Sequence, residues 1–300
     1  MLYPELNDLM ALKDRKVGLT HPSRRLVKSI AAGNYHSPFR GQGLEFDSVR
    51  EYVPGDDIRS IDWRVTARTG SPHVKLFRAD RERYITICVD MNAPMRFGTR
   101  NTFKSVQAAR VAALLGWRAI ACQDRVSACL FGDVPAGIQL LPPKRSRRSF
   151  CAMLKILSEP PKEQHQVLLD GVLQQIYATT HTGSLVYIIS DFMNIDNNFQ
   201  DVWLGRLCKK CDVVFIAVND RADKAIAPIG VIGCGGSERQ KTYINTDSIA
   251  GRRAYEALWK QNRQKLYEIT SKLKIPVIEL TTESDIYREI ILGLKKGFRK

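Results

Sequence analysis

Long apolar runs are missing from this sequence of 300 residues, and its N-terminus does not resemble a leader. The most apolar stretch, Val106–Cys122, contains two arginines and a glutamine, whereas a membrane-spanning helix needs about 20 predominantly apolar residues. Charged residues between Glu5 and Lys16 interrupt any apolar core of a secretory signal. The sequence therefore predicts a protein with neither a membrane span nor a cleaved leader.

Cysteines are few, and their spacing does not indicate a disulfide framework. The seven cysteines are an odd number and mostly lie singly in apolar stretches, which is typical of reduced thiols in a cytoplasmic protein. The one C-x-x-C pair, Cys208 and Cys211, lacks the second ligand pair that a structural zinc site requires. We therefore expect a cytoplasmic protein in which these two cysteines are structural.

Signatures of common catalytic sites are also missing. The sequence has no G-x-x-x-x-G-K-[ST], H-E-x-x-H or G-x-S-x-G motif, and its five histidines are scattered. The adjacent Asp56 and Asp57 would point to opposite faces of an extended chain, so they could not share one proton. We expect no catalytic residues, and a metal-dependent hydrolase is the weakest alternative.

Acidic residues are in the minority, so the chain is strongly basic. It has 46 basic and 31 acidic residues and a formal net charge of +15, which favours anionic partners without choosing among them. The densest basic patch lies at a predicted helix start, where positive charge opposes the helix dipole: Lys144, Arg145, Arg147 and Arg148. Only Phe150 is nearby, whereas nucleic-acid sites usually interleave aromatic residues. An acidic protein surface therefore fits this patch as well as nucleic acid.

From residue 84 onward, short apolar runs alternate with amphipathic stretches. Strands are predicted at Tyr84–Asp90, Arg125–Phe131, Gly137–Leu141 (an edge strand), Leu185–Ser190, Asp212–Val218 and Pro276–Leu280. Helices are predicted at Thr102–Cys122, Ser146–Leu157, Val167–Ala178, Phe199–Lys209, Ile249–Leu273 and the C-terminus. This alternation predicts an α/β domain over residues 84–300, with a doubly wound, mostly parallel sheet and a β-hairpin insertion near residues 228–247.

Residues 1–83 have a different composition and are predicted to form a separate N-terminal region. The first 32 residues are polar and basic with scattered leucine and isoleucine, which favours one or two helices. Glycine and proline then punctuate short alternating runs up to Arg83, a pattern typical of hairpins and ordered loops. The predicted organisation is thus an N-terminal helical and β-hairpin extension followed by the α/β domain.

The segment Phe39–Gly70 has a dense, specific pattern, FRGQGLEFDSVREYVPGDDIRSIDWRVTARTG. It resembles the signature of domain-of-unknown-function family 58, bacterial proteins that carry a von Willebrand factor A-like domain and whose genes usually accompany a MoxR-type AAA+ ATPase. The resemblance continues through Val74–Glu82, Asp90, Phe97–Gly98 and Ile189–Phe192. It implies a von Willebrand A-like, Rossmann-like fold and a MoxR-type ATPase, or a client of it, as partner.

The resemblance also implies a metal ion-dependent adhesion site at the carboxyl ends of the strands. In von Willebrand A domains this site begins with Asp-x-Ser-x-Ser, and a threonine and an aspartate from later loops complete it. Here Asp90 is kept, Asn92 replaces one serine, Pro94 replaces the other, and Asp191 matches the last aspartate. Residues 163–166 offer no clear threonine. A degenerate site for Mg²⁺ or Mn²⁺ is implied, with Asp90, Asn92 and Asp191 as ligands; the alternative is that the aspartates cap helices.

Charges alternate in sign within the signature and suggest an ion-pair network. We predict a network that braces the N-terminal segment, and a partner-docking platform is the alternative. The residues concerned are Glu45, Arg50, Tyr52, Asp56, Asp57, Arg59, Asp62, Trp63, Arg64 and Arg68.

Together these observations predict a non-catalytic adaptor that binds through the strand-end face near Asp90 and Asp191, where open α/β sheets bind ligands. The alternative is a basic-surface binder of nucleic acid or another anionic partner. The first hypothesis needs the two carboxyls at one exposed rim. Burial of both beneath packed side chains would refute it.

Overall fold

The computed structural model describes these residues: 3–15, 44–79, 83–161, 164–193, 195, 199, 202–234 and 242–297. Packing divides the chain into a larger unit of residues 1–27 and 83–300 and a smaller unit of residues 28–82. The elements in chain order are α1 (Leu6–Ala11), β1 (Leu44–Glu51), α2 (Trp63–Thr69), β2 (His73–Ala79), β3 (Tyr84–Met91), α3 (Lys104–Ala121), β4 (Arg125–Gly132), β5 (Ile138–Lys144), α4 (Arg147–Ser158), α5 (Leu169–Thr179), β6 (Leu185–Ser190), α6 (Val202–Lys210), β7 (Asp212–Asn219), α7 (Arg221–Lys224), β8 (Val231–Cys234), β9 (Thr242–Asn245), α8 (Ile249–Leu273), β10 (Val277–Thr281) and α9 (Ile286–Gly297).

A six-stranded sheet lies at the centre of the larger unit, in the order β10-β7-β6-β3-β4-β5. Its strands are parallel except β5, which runs antiparallel to β4 at the edge. Pro142 and Pro143 fit this edge position, because proline cannot donate to a second neighbouring strand. The predicted doubly wound, mostly parallel sheet is confirmed.

Helices cover both faces of the sheet because successive strand residues point to opposite sides. On one face Ile85, Ile87 and Val89 pack with apolar residues of α1, α3, α4 and α9. On the other face Cys88 and Val186 pack with α5, α6 and α8. The inner strands are buried on both sides, which explains their nearly continuous apolar sequences.

The first helix belongs with the larger unit. Leu9 is fully buried in the apolar cluster of α3 and α4, and the Trp117 indole donates a hydrogen bond to the Leu9 carbonyl at 2.9 Å. Other residues of the predicted N-terminal helical region, 16–32, lie outside the described residues. None of the helices in the described ranges is long and apolar enough to cross a membrane.

The two hairpins differ in how well the sequence predicted them. Strands β8 and β9 form the predicted antiparallel hairpin, whose turn lies outside the described residues. Strands β1 and β2 of the smaller unit also pair antiparallel, but the helix α2 between them was not predicted. Asp62 caps α2 by accepting from the backbone of Arg64 and Val65, and Gly70 ends the helix in a left-handed conformation.

Candidate functional site

Asp90 and Asp191 come together at the carboxyl ends of two neighbouring strands. Asp90 is near the end of β3, Asp191 directly follows β6, and these strands pair in parallel. The Ser190 hydroxyl donates to Asp90 Oδ2 at 2.5 Å. The two aspartates are only 3% and 2% exposed. They share one end of the sheet as predicted, but both are buried there, so the prediction that a partner binds at an exposed rim formed by these two carboxyls is wrong.

Asn92 fastens the end of β3 to the loop before α5. Its Nδ2 donates to Asp90 Oδ1 at 2.7 Å and to the Val167 carbonyl at 2.9 Å, and its Oδ1 accepts from Val167 N at 3.0 Å. A Cβ on Gly132 would lie 2.4 Å from the Asn92 nitrogen, so only glycine permits this approach of β4. Both ends of the Asn92 amide are therefore engaged by the protein.

Lys104, the first residue of α3, is the central residue of the site that the sequence analysis missed. Its side chain is 2% exposed, and its Nζ lies 2.7 Å from Asp191 Oδ2 and 3.3 Å from Asp223 Oδ2. Burial alone would lower the pKa of Lys104, but the charges of Asp191 and Asp223 outweigh it and raise that pKa. The ammonium is thus held protonated between two carboxylates.

The pKa values of the buried acids reflect this crowding. Burial, followed by the negative charge of Asp191, raises the pKa of Asp90 to about 7, although hydrogen bonds from Ser190 and Asn92 oppose the shift. Burial also raises the pKa of Asp223 despite the nearby Lys104 ammonium. The site therefore holds more carboxyl groups than its cation can fully stabilise.

Asp220, at the end of β7, joins two further loops to the site. Its carboxylate accepts from Thr99 N at 3.0 Å, Thr99 Oγ1 at 2.6 Å and Thr282 Oγ1 at 2.7 Å. Burial would raise the pKa of Asp220, but these hydrogen bonds and one from Ala222 N lower it. Loops that follow β3, β7 and β10 are thereby fixed to one another.

Side chains on the loops next to this buried network reach the surface. The Lys104 Nζ lies 5.6 Å from the centroid of the Phe97 ring, which is 38% exposed. Arg100 and Arg221 both pair with Glu283, at 3.3 Å and 3.0 Å, while their side chains stay 63% and 67% exposed. We call Phe97, Arg100, Arg221 and Glu283 the rim surface.

The donor atoms do not fit the divalent cation that the fold family implies. The Lys104 ammonium is hydrogen-bonded to Asp191, both Asp90 oxygens accept hydrogen bonds, and the Asn92 amide is used at both ends. Mg²⁺ would need near-octahedral oxygen ligands at about 2.0–2.1 Å, next to an ammonium that repels it. In the described ranges no group of three or more His, Cys, Asp or Glu side chains is arranged to hold a metal ion.

The signature residues of the smaller unit form local caps, turns and ion pairs. Arg50 Nη2 pairs with Asp56 Oδ1 at 2.6 Å, Asp57 caps a short turn at Arg59 N, and Asp62 Oδ2 lies 3.6 Å from Lys75 Nζ. The other residues lie as follows: the Tyr52 nitrogen donates to the Pro72 carbonyl, Trp63, Arg64 and Arg68 are exposed, and the backbone of Glu45 pairs with that of Arg78. The bracing and docking interpretations both stay predictions.

The basic patch lies where β5 gives way to α4, and its side chains are exposed: Lys144, Arg145, Arg147 and Arg148. Two of them are engaged locally, because Arg145 donates to Gln123 and the Arg147 guanidinium lies 5.5 Å from the centroid of the Trp117 ring system. This patch is separate in sequence from the residues of the rim surface.

The C-x-x-C pair shows no sign of reactivity. Burial raises the pKa of both Cys208 and Cys211 to about 11, with the neighbouring Cys211 adding to the shift of Cys208. A thiol with a raised pKa is a poor nucleophile and a poor metal ligand at neutral pH.

Known proteins resemble this chain in sequence and in fold. Uncharacterized protein Rv1480 of Mycobacterium tuberculosis and uncharacterized protein Mb1516 of Mycobacterium bovis are each 28% identical over 209 residues, which cover 69% of this chain. The match spans only 65% of the length of these relatives.

A solved structure shows the similarity in fold. The conserved hypothetical protein BatB from Bacteroides thetaiotaomicron superposes with a TM-score of 0.50 at 15% identity, covering 73% of this chain and 100% of that one. A von Willebrand factor type A structure from Catenulispora acidiphila gives a TM-score of 0.42 at 10% identity, covering 75% of this chain and 44% of that one.

The family model described as "Protein of unknown function DUF58" matches residues 48–265. These residues include β3 to β7 and the strand-end site, by which we mean Asp90, Lys104, Asp191, Asp220 and Asp223. This match takes in most of the chain and confirms the family that the signature predicted. The larger unit, with its mostly parallel sheet covered on both faces, has the von Willebrand A-like fold expected of that family. The chain belongs to the DUF58 family.

Proposed function

We propose that this protein is a non-catalytic protein-interaction module that binds its partner through the rim surface. The observation that carries the proposal is the position of Phe97, an exposed aromatic ring directly over the buried Lys104 ammonium at the carboxyl end of the sheet. Aromatic and arginine side chains on a rigid base are typical of residues that dominate binding energy. Ligands of open α/β sheets also bind at this end of the strands.

The burial of Asp90 and Asp191 argues against catalysis by these aspartates and leaves the surrounding residues as the proposed binding surface. Both carboxyls are hydrogen-bonded within the protein, so neither is available to a substrate. Arg100 and Arg221 lie around Glu283 and suit a partner that presents carboxylates beside an apolar side chain. A hydrolase would need one of these buried acids to become accessible.

The partner we propose is a MoxR-type AAA+ ATPase, because genes of this family usually accompany such an ATPase. The module would act in the cytoplasm, where the ATPase finds its nucleotide and where the free thiols of the chain, such as Cys88 and Cys129, stay reduced. The proposed partner and the proposed location apply to this chain, which spans only part of the length of its mycobacterial relatives.

The test is co-purification with the MoxR-type ATPase encoded beside the gene, together with ATP turnover by that enzyme. Phe97→Ala should weaken binding at least tenfold, since loss of an aromatic anchor costs about 2 kcal/mol or more. Tyr243→Ala is the matched control, because Tyr243 lies on β9 and is 70% exposed. Equal effects of the two variants, or no binding and no change in turnover at low salt, would refute the proposal.

The basic patch supports a second candidate, a binder of nucleic acid or another polyanion. Exposed cations at the start of α4 face an unfavourable helix dipole, which an anionic ligand would relieve. The logarithm of the binding constant for duplex DNA should then fall linearly with the logarithm of the salt concentration, with a slope of about −0.9 per phosphate contacted. Lys144→Gln with Arg148→Gln should reduce that slope, and absence of binding at low salt would remove this candidate.

A further inference from the structure

The positive charge at the strand-end site is supplied by a side chain of the protein, the Lys104 ammonium. We propose that the Lys104 ammonium takes the role that a divalent metal ion has in von Willebrand A-like sites, so that this strand end is assembled without metal. This role is independent of which partner the rim surface binds. It makes Lys104 a positioning residue for the loops that carry the rim surface.

The distances describe an ammonium bridging two carboxylates. Lys104 Nζ is 2.7 Å from Asp191 Oδ2, a charge-assisted hydrogen bond, and 3.3 Å from both carboxylate oxygens of Asp223. Asp191 follows β6 and Asp223 lies in α7 after β7, so one cation links the ends of two strands to the start of α3. A divalent ion would make the same kind of link.

Both ends of Lys104 are fixed in place. Its backbone nitrogen donates to the Phe97 carbonyl at 2.9 Å, and the Phe97 ring lies near its ammonium. The loop between them is tight, since a Cβ on Gly98 would lie 2.4 Å from the Thr102 carbonyl oxygen. The same loop therefore positions the Lys104 backbone and carries the exposed ring of the rim surface.

Other groups of the protein replace the remaining contacts that a metal ion would make at this site. In place of a side-chain oxygen from the loop before α5, the backbone of Val167 binds Asn92. Pro94 supplies no side-chain oxygen and is exposed. The remaining acid, Asp90, is held by Ser190 and Asn92 and not by the ammonium. Each position that would serve a metal is thus satisfied by the chain itself.

The first experiment titrates Mn²⁺ into the full chain after treatment with EDTA, followed by electron paramagnetic resonance and calorimetry. We expect no saturable site up to millimolar Mn²⁺, and no change of the melting temperature when EDTA is added. Stoichiometric binding to the wild-type chain that Asp191→Asn abolishes would overturn the proposal. The expected absence of a saturable site is measured on the wild-type chain alone, so it does not depend on the folding of any variant.

The second experiment uses Lys104→Ala, which removes the ammonium and leaves the carboxylates and a space. This variant should melt at a lower temperature than the wild type, recover part of the loss in millimolar Mg²⁺, and acquire a saturable Mn²⁺ site. Lys155→Ala is the matched control, because Lys155 is exposed and pairs with Glu159 on the surface of α4. A folded Lys104→Ala chain that gains neither Mn²⁺ binding nor stabilisation by Mg²⁺ would refute the equivalence of lysine and metal.

Discussion

Removal of the Lys104 ammonium should be among the most destabilising single changes at the strand end. Lys104→Met keeps much of the apolar stem but leaves Asp191 and Asp223 without their cation. Breaking a buried ion pair by removing one partner costs about 3–5 kcal/mol, because the other charge stays buried. Lys260→Met is the control: Lys260 pairs with Glu256 at 2.8 Å but is 63% exposed, and such pairs contribute about 0–1 kcal/mol.

A double-mutant cycle separates this pairing from the loss of packing. Asp191→Asn should also destabilise the protein, and the double variant should be less destabilised than the sum of the single effects, by about 1–3 kcal/mol. The measurement is urea unfolding followed by circular dichroism, with the free energy of unfolding extrapolated to water. A cost for Lys104→Met no larger than that for Lys260→Met, or a coupling energy near zero, would refute the reasoning.

Three further predictions follow from contacts at the strand end and in the core. Burial raises the pKa of Asp90 to about 7, so this carboxyl contributes stability that is present at low pH and is lost as pH rises through 7. Asp90→Asn has no such proton to lose. Between pH 5 and pH 8 its free energy of unfolding, measured in urea, should therefore fall by about 2–3 kcal/mol less than that of the wild type. Gly116→Ala should cost about 1–3 kcal/mol, because its Cβ would lie 2.1 Å from a ring carbon of Phe150, and an unfolding midpoint equal to that of wild type would contradict this. In a partner-binding titration, Phe97→Ala should have a smaller effect in the Lys104→Met background than alone; fully additive effects would show that the ring does not depend on the ammonium.

The sequence predicted most of the sheet because its strands are buried on both faces. Runs such as LVYIIS in β6 are apolar throughout, and the helices between them have clear amphipathic patterns. Asp90 and Asp191 could be placed at one end of the sheet for the same reason, since the carboxyl ends of parallel strands meet there. Helix α2 was missed because glycine and proline around it indicated hairpins, although Asp62 at its start is a recognisable capping residue.

The chemistry of the site could not be predicted from strand patterns alone. A lysine in the first turn of an amphipathic helix is normally exposed, and only the packed structure shows that Lys104 points at Asp191. One signal was available: Lys104 begins a helix rich in alanine, valine and leucine at the end where the helix dipole disfavours a cation. Such a position is reasonable only when carboxylates lie nearby. The partner of Asp191, Lys104, is 87 residues away in sequence, which is too far for any local pattern to reveal.

Burial of the carboxyls changes which part of the strand end can recognise a partner. An accessible metal ion would bind a carboxylate of the partner directly, whereas here the Lys104 ammonium is already shared between Asp191 and Asp223. Under the proposed function, recognition comes instead from the rim surface, which includes the Phe97 ring and the Arg100 guanidinium. Chelators should then leave partner binding intact, and binding should depend on salt only as far as the exposed arginines contribute. Because the internal cation cannot dissociate, this strand end stays assembled whatever the concentration of free divalent ions.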